Sequence, residues 1–127
     1  MIKYREGYKY QLATDYTVAT GIIPPAVIIT EYIHLYPDGS LFVKEGYAWD
    51  GPSGPTVDTL NFMRGSLAHD ALYQLMREGQ LDHDTCREAA DRLLQRLCLE
   101  DGMWALRGWW VYQGVRIFGD PAADPAH

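Results

Sequence analysis

The run Asp50-Gly51-Pro52-Ser53-Gly54-Pro55-Thr56-Val57-Asp58 constrains the fold of this chain more than any other stretch. Its four glycines and prolines in nine residues exclude a regular element and favour a stiff loop of specific shape. Composition changes across it. Seven of the nine tyrosines and most β-branched residues precede the run, whereas seven of the eight arginines follow it. Strands are therefore expected first and helices second. At 127 residues the chain has room for one domain with a single core. The expected organisation is a domain over residues 1–119, with strands mainly in 1–49, the loop at 50–58, helices in 59–119 and a flexible tail at 120–127.

The stretch from Ala26 to Tyr36 is rich in β-formers, Pro37-Asp38-Gly39-Ser40 has turn chemistry, and Leu41-Phe42-Val43-Lys44 resumes the pattern, which predicts a hairpin. Alternation from Tyr8 to Val18 predicts an earlier strand, and Pro24-Pro25 interrupts before the hairpin. A small antiparallel sheet of three to four strands is expected to pack on two to three C-terminal helices, an α+β fold. Beyond the loop, Leu60, Met63, Leu67, Ala71 and Leu75 recur at helical steps and Gly79 supplies a stop. Thr85-Cys86-Arg87-Glu88 has the form of a capping box, with Cys86, Ala90, Leu93, Leu94 and Leu97 as the buried stripe of a second helix that ends at Gly102. A third helix, from about Met103 to Phe118, carries Trp104, Trp109, Trp110 and Tyr112. Trp109 and Trp110 diverge by about 100°, so some aromatic surface is left over for a protein partner.

Charge and cysteine content exclude several function classes. A net charge of −6 opposes phosphate backbones, so no nucleic-acid partner is expected. No apolar run approaches the ~20 residues of a transmembrane segment, and Met1 to Gly7 carry charges where a signal peptide needs an apolar core. Cys86 and Cys98, twelve residues apart on one helix, would stand about 18 Å apart, too far to bridge. This usage fits a reducing cytoplasm.

His69-Asp70-x-x-Tyr73 can carry chemistry. On a helix, His69 and Tyr73 share one face, and Asp70 is rotated about 100° from His69. Asp91 falls at the shoulder of the next helix's apolar stripe. If the two helices pack antiparallel, Asp91 can accept a hydrogen bond from one imidazole nitrogen and leave the other as a base, with Tyr73 bracing the carboxylate. Asp70 would face the Asp50–Asp58 loop, where carbonyls and carboxylates suit a hard cation such as calcium. Zinc fits poorly, because the four histidines and two cysteines show no ligand spacing. Arg64 is a candidate for a substrate phosphate, with an internal salt bridge to Asp58 or Asp91 as the alternative, and Trp49 borders the same pocket.

The run Asp50 to Pro55, then Asp58, His69-Asp70-x-x-Tyr73, Gly79 and Ala90-Asp91 together resemble the phospholipase A2 pattern, particularly its short viral-capsid and bacterial forms. The resemblance implies an ester hydrolase acting on phospholipid. It assigns His69 as the base that activates water, Asp91 as the acid that orients it, and Tyr73 as support for Asp91. It assigns Asp70 as the calcium carboxylate, with Asp50, Gly51 and Gly54 in the cation loop. The chain also resembles a family of tailed-phage and bacterial-host proteins with no assigned activity. That resemblance rests on Trp49-Asp50-Gly51-Pro52-Ser53-Gly54-Pro55 and on Arg64 to Tyr73. It implies a phage or prophage protein in the host cytoplasm, associated with the virion or released at lysis. The same residues also fit a second reading, a structural polar network in a phage assembly or host-interaction protein.

Overall fold

A computed structural model of the chain describes residues 4–5, 10–49 and 60–118. The chain divides into two compact units, residues 1–58 and residues 59–127. The fold class is α+β: among the described residues, seven short strands precede three helices. The 50–58 loop and the 120–127 tail lie outside the described residues.

The first unit holds two antiparallel sheets where one was expected. Strands β1 (Tyr4–Arg5), β2 (Tyr10–Leu12) and β7 (Ala48–Trp49) form one, in the order β1-β2-β7. Strands β3 (Tyr16–Ala19), β4 (Ile28–Ile29), β5 (Ile33–Leu35) and β6 (Ser40–Val43) form the other, in the order β3-β6-β5-β4. The expected Tyr8–Val18 strand is thus two strands in different sheets. The Leu12 N–H donates to the Tyr47 carbonyl, while the Asp15 carboxylate accepts the Glu45 N–H at 2.7 Å and turns the chain toward β3. The Ala26–Tyr36 stretch is also divided. Thr30 Oγ1 donates to the Ile33 carbonyl and accepts the Ile33 N–H, closing a tight turn that folds β4 back on β5.

The β5–β6 hairpin forms where the turn chemistry places it. Gly39 adopts φ +88°, the left-handed region that glycine enters without steric cost, and the Asp38 carboxylate accepts the Ser40 N–H. Its register puts Ile33 opposite Val43 and Leu35 opposite Leu41 on the buried face. His34 and Phe42 pair on the other face with ring centroids 5.0 Å apart. Period-two alternation in sequence therefore becomes a one-sided apolar surface.

The second unit consists of α1 (Leu60–Arg77), α2 (His83–Glu100) and α3 (Ala105–Phe118). Met63, Leu67, Ala71 and Leu75 of α1 are buried, as are Ala90, Leu93, Leu94 and Leu97 of α2, whereas Cys86, expected in the same stripe, is only partly buried. Gly79 and Gly102 follow α1 and α2 with positive φ, as helix-terminating residues do. The N-terminus of α2 departs from expectation. Asp82 is its N-cap, and Thr85, inside the helix, donates its hydroxyl to the Asp82 carboxylate at 2.7 Å. An acid three residues upstream captures the hydroxyl that a capping box would have used.

Helices α1 and α2 run antiparallel, since Arg64 meets Glu100 and Asp101 while His69 meets Asp91. Gly65 sets how closely they approach. A Cβ there would lie 2.9 Å from Leu94 Cδ1, 3.1 Å from Cys98 Sγ and 3.2 Å from the Leu94 carbonyl oxygen. Adding that methyl gains helix propensity of roughly 0.5–1 kcal/mol but incurs overpacking of roughly 1–3 kcal/mol. Gly65→Ala is expected to lower stability by about 1 kcal/mol, read as a lower urea midpoint at unchanged slope.

Candidate functional site

Asp91 is the centre of the polar cluster in the second unit. Its side chain is wholly buried, and its two oxygens are met by three side chains from the other two helices. His69 Nε2 lies 2.7 Å from Oδ1, and the Tyr73 hydroxyl donates to the same oxygen at 2.5 Å. Arg116, near the end of α3, donates to Oδ2 at 3.0 Å. One turn of α1 separates His69 from Tyr73, which explains how both reach one oxygen. Their rings are held with centroids 4.0 Å apart. Arg87, one turn before Asp91 on α2, closes the cluster. Its Nε donates to the Tyr73 hydroxyl oxygen at 3.3 Å, and its Nη2 donates to the carbonyls of Val115 and Arg116, each at 2.8 Å.

The arrangement determines the roles of the imidazole nitrogens. With Nε2 beside a carboxylate, the neutral ring carries its proton on Nε2 and leaves Nδ1 as the basic nitrogen. Nδ1 looks toward Asp70, whose nearer oxygen is 3.8 Å away and whose side chain is 37% exposed. Asp70 therefore brings negative charge from the solvent side to a ring that is otherwise buried.

Electrostatics follow from burial set against these partners. Burial opposes charge on His69, but hydrogen bonding to and the charges of Asp70 and Asp91 outweigh it and hold the imidazole above its ordinary 6.5. Burial likewise works against the Asp91 carboxylate. Hydrogen bonds from His69, Tyr73 and Arg116 prevail, and its pKa falls below 3.8. Burial and the adjoining Asp91 charge raise the Tyr73 phenol above its ordinary 10.0, so it stays a donor. Among the described residues, no buried side-chain nitrogen or oxygen lacks a partner.

The structure brings together three of the sequence candidates, His69, Tyr73 and Asp91, with Asp70 beside them. It places Arg64 elsewhere: the guanidinium binds Glu100 at 2.8 Å and Asp101 at 3.0 Å at the far end of the α1–α2 seam, rather than Asp91. Trp49 is buried in the first unit, its ring 5.8 Å from that of Tyr10. Asp50, Gly51, Gly54 and Asp58 lie outside the described residues. Among the described residues, no three His, Cys, Asp or Glu side chains gather as ligands for a metal ion. Calcium takes six to eight oxygens, and the loop residues expected to supply them beside Asp70 lie outside the described residues. Cys86 and Cys98 are both free thiols, and burial pushes the Cys98 thiol up to about 12, which keeps it inert. No helix among the described residues is long and apolar enough to cross a membrane.

Sequence reasoning missed Arg87 and Arg116. Arg87 left a signal, a cation four residues before a buried acid on one helix face. Arg116 left none, because its pairing depends on how α3 packs. Comparison with family models, curated proteins and solved structures finds no match to this chain.

Stability should carry the mark of this cluster. The His69 contribution is complete below pH 6.5 and is lost as pH rises through its raised native value. The Asp91 contribution is complete above pH 3.8 and is lost as pH falls through its lowered native value. The pair is expected to stabilise most between these limits, and His69→Gln to remove the decline on the alkaline side, both read from melting temperature against pH. Asp91→Ala, which leaves Arg116 and His69 without their acceptor, is expected to cost about 3–5 kcal/mol in chemical denaturation.

Proposed function

We propose that the second unit carries a His69–Asp91 hydrolase site that cleaves an ester, in a phage or prophage protein of the phospholipase A2-like kind that the sequence resembles. The supporting observation is the division of labour on one ring: Nε2 is held by the buried Asp91 carboxylate, and Nδ1 is directed to the Asp70 side. In this reading Nδ1 takes a proton from water as the water oxygen attacks the ester carbonyl. Asp91 stabilises the imidazolium that forms, and Tyr73 and Arg116 keep Asp91 in place. The proton then passes to the departing alkoxide, which leaves as an alcohol and restores the neutral ring. His69 and Asp91 suffice for these proton transfers. Calcium at Asp70 is the cation implied by the resemblance, and it would polarise the ester carbonyl.

A second reading has its own support. Among the described residues no buried side-chain nitrogen or oxygen lacks a partner, and Arg116 ties α3 to Asp91, as a purely structural hub in an assembly or host-interaction protein would require.

Hydrolysis of phosphatidylcholine vesicles and of a short-chain p-nitrophenyl ester separates the two. His69→Gln is expected to lower turnover by about 10²–10⁴-fold while circular dichroism stays native. Wild-type protein that turns over neither ester, with or without calcium, would leave the structural reading in its place. Millimolar calcium is expected to raise the melting temperature of the wild type and not that of Asp70→Asn, because a ligand that binds only the native state stabilises it.

A further inference from the structure

Helix α3 is apolar on two opposite sides. Gly108, Val111 and Val115 form its packed side: Gly108 lies against Leu99, and Val111 and Val115 join the cluster of Leu94, Cys98 and Met103. At 100° per residue, Leu106, Trp110 and Ile117 fall within about 40° of one another on the other side. They are exposed by 70%, 64% and 66%. Trp109 flanks them, and Trp104 stands in solvent just before the helix. An amphipathic helix at a protein surface turns a polar face to water, whereas the outward face of α3 sets only Gln113 among these large apolar side chains.

We propose that this face is the homodimer interface of the protein, formed by two α3 helices packed antiparallel about a two-fold axis at the level of Tyr112. The proposal is independent of the hydrolase reading. Its first ground is area. Leu106, Trp110 and Ile117, with Trp109 at their flank, leave roughly 500 Å² in water, toward the upper end of the ~300–600 Å² patch of an ordinary monomer and more than half of the ~800 Å² that one partner contributes to a standard interface.

Its second ground is Gly114. A Cβ there would meet nothing within 4 Å, so no internal contact accounts for a glycine in mid-helix, where it weakens the helix relative to alanine. A second helix approaching closely does account for it. In the antiparallel arrangement Trp110 of one copy lies at the height of Gly114 of the other, and Leu106 lies within one residue of Ile117. Bulk therefore meets notch twice, as a two-fold contact requires. An anionic lipid surface fits less well. The chain carries a net charge of −6, and of the two cations on α3, Arg116 is already bound to Asp91.

Sedimentation equilibrium over a dilution series tests this on the full chain. The wild type is expected to reach twice 14.4 kDa. Trp110→Glu and Gly114→Leu are each expected to weaken association at least tenfold with native circular dichroism. Gly114→Ala is expected to raise the melting temperature of the dilute monomer while weakening the dimer. Should the first two variants fail to fold, Gln113→Cys serves instead: beside the axis, it is expected to cross-link two copies under mild oxidation, as the wild type does not. A single-chain mass at every concentration overturns the proposal. So does a dimer that persists in both interface variants, a folded Gln113→Cys that does not cross-link, or a monomer that sediments with phosphatidylcholine vesicles.

Discussion

A carboxylate with no exposure to water governs the helical unit. Desolvating one carboxylate costs several kcal/mol unless hydrogen bonds and opposite charge replace the lost water, and no single helix can supply them. Asp91 obtains them from His69 and Tyr73 on α1 and from Arg116 on α3. The requirement therefore works as a registry device. Sliding α1 by one turn or withdrawing the end of α3 would leave the acid short of a donor, so apolar packing that tolerates several registers is confined to one. Gly65 cooperates by letting the α1 and α2 backbones approach closely enough for short side chains to meet.

The same requirement shapes what His69 can do. A histidine beside a buried acid is held in one tautomer and one orientation, and both a catalytic base and a structural donor need that. The nitrogen that does not touch Asp91 distinguishes the two uses. It faces a half-exposed carboxylate rather than apolar packing, which turns that edge of the ring toward the solvent side of α1.

Much of this arrangement was legible in the sequence, for local reasons. The 3.6-residue period marked the helices, Pro37 to Ser40 marked the hairpin turn, and the spacing of His69, Tyr73 and Asp91 placed them on facing helix stripes. The misreadings have equally physical causes. Thr30 and Asp15 break the β-rich stretches with side-chain hydrogen bonds to the backbone, which propensity averages conceal, so two sheets stand where one was expected. Asp82 outcompeted Thr85 as the cap because an acid and a hydroxyl three residues apart satisfy each other. Arg64 paired with Glu100 and Asp101, and Arg116 with Asp91; both partnerships link residues more than twenty positions apart and are fixed by packing rather than by spacing.

Arg87 also alters the mechanics of α3. Helices ordinarily loosen from their ends, where carbonyls have no intrahelical partner. The last turn of α3 is fastened twice, through its main-chain oxygens to Arg87 and through Arg116 to Asp91, while its first turn carries Ala105 and Leu106 in open solvent. In the dilute monomer, fraying should therefore begin at residue 105 and run toward residue 118, so the terminus nearest the polar cluster would be the last part of α3 to exchange its amide protons.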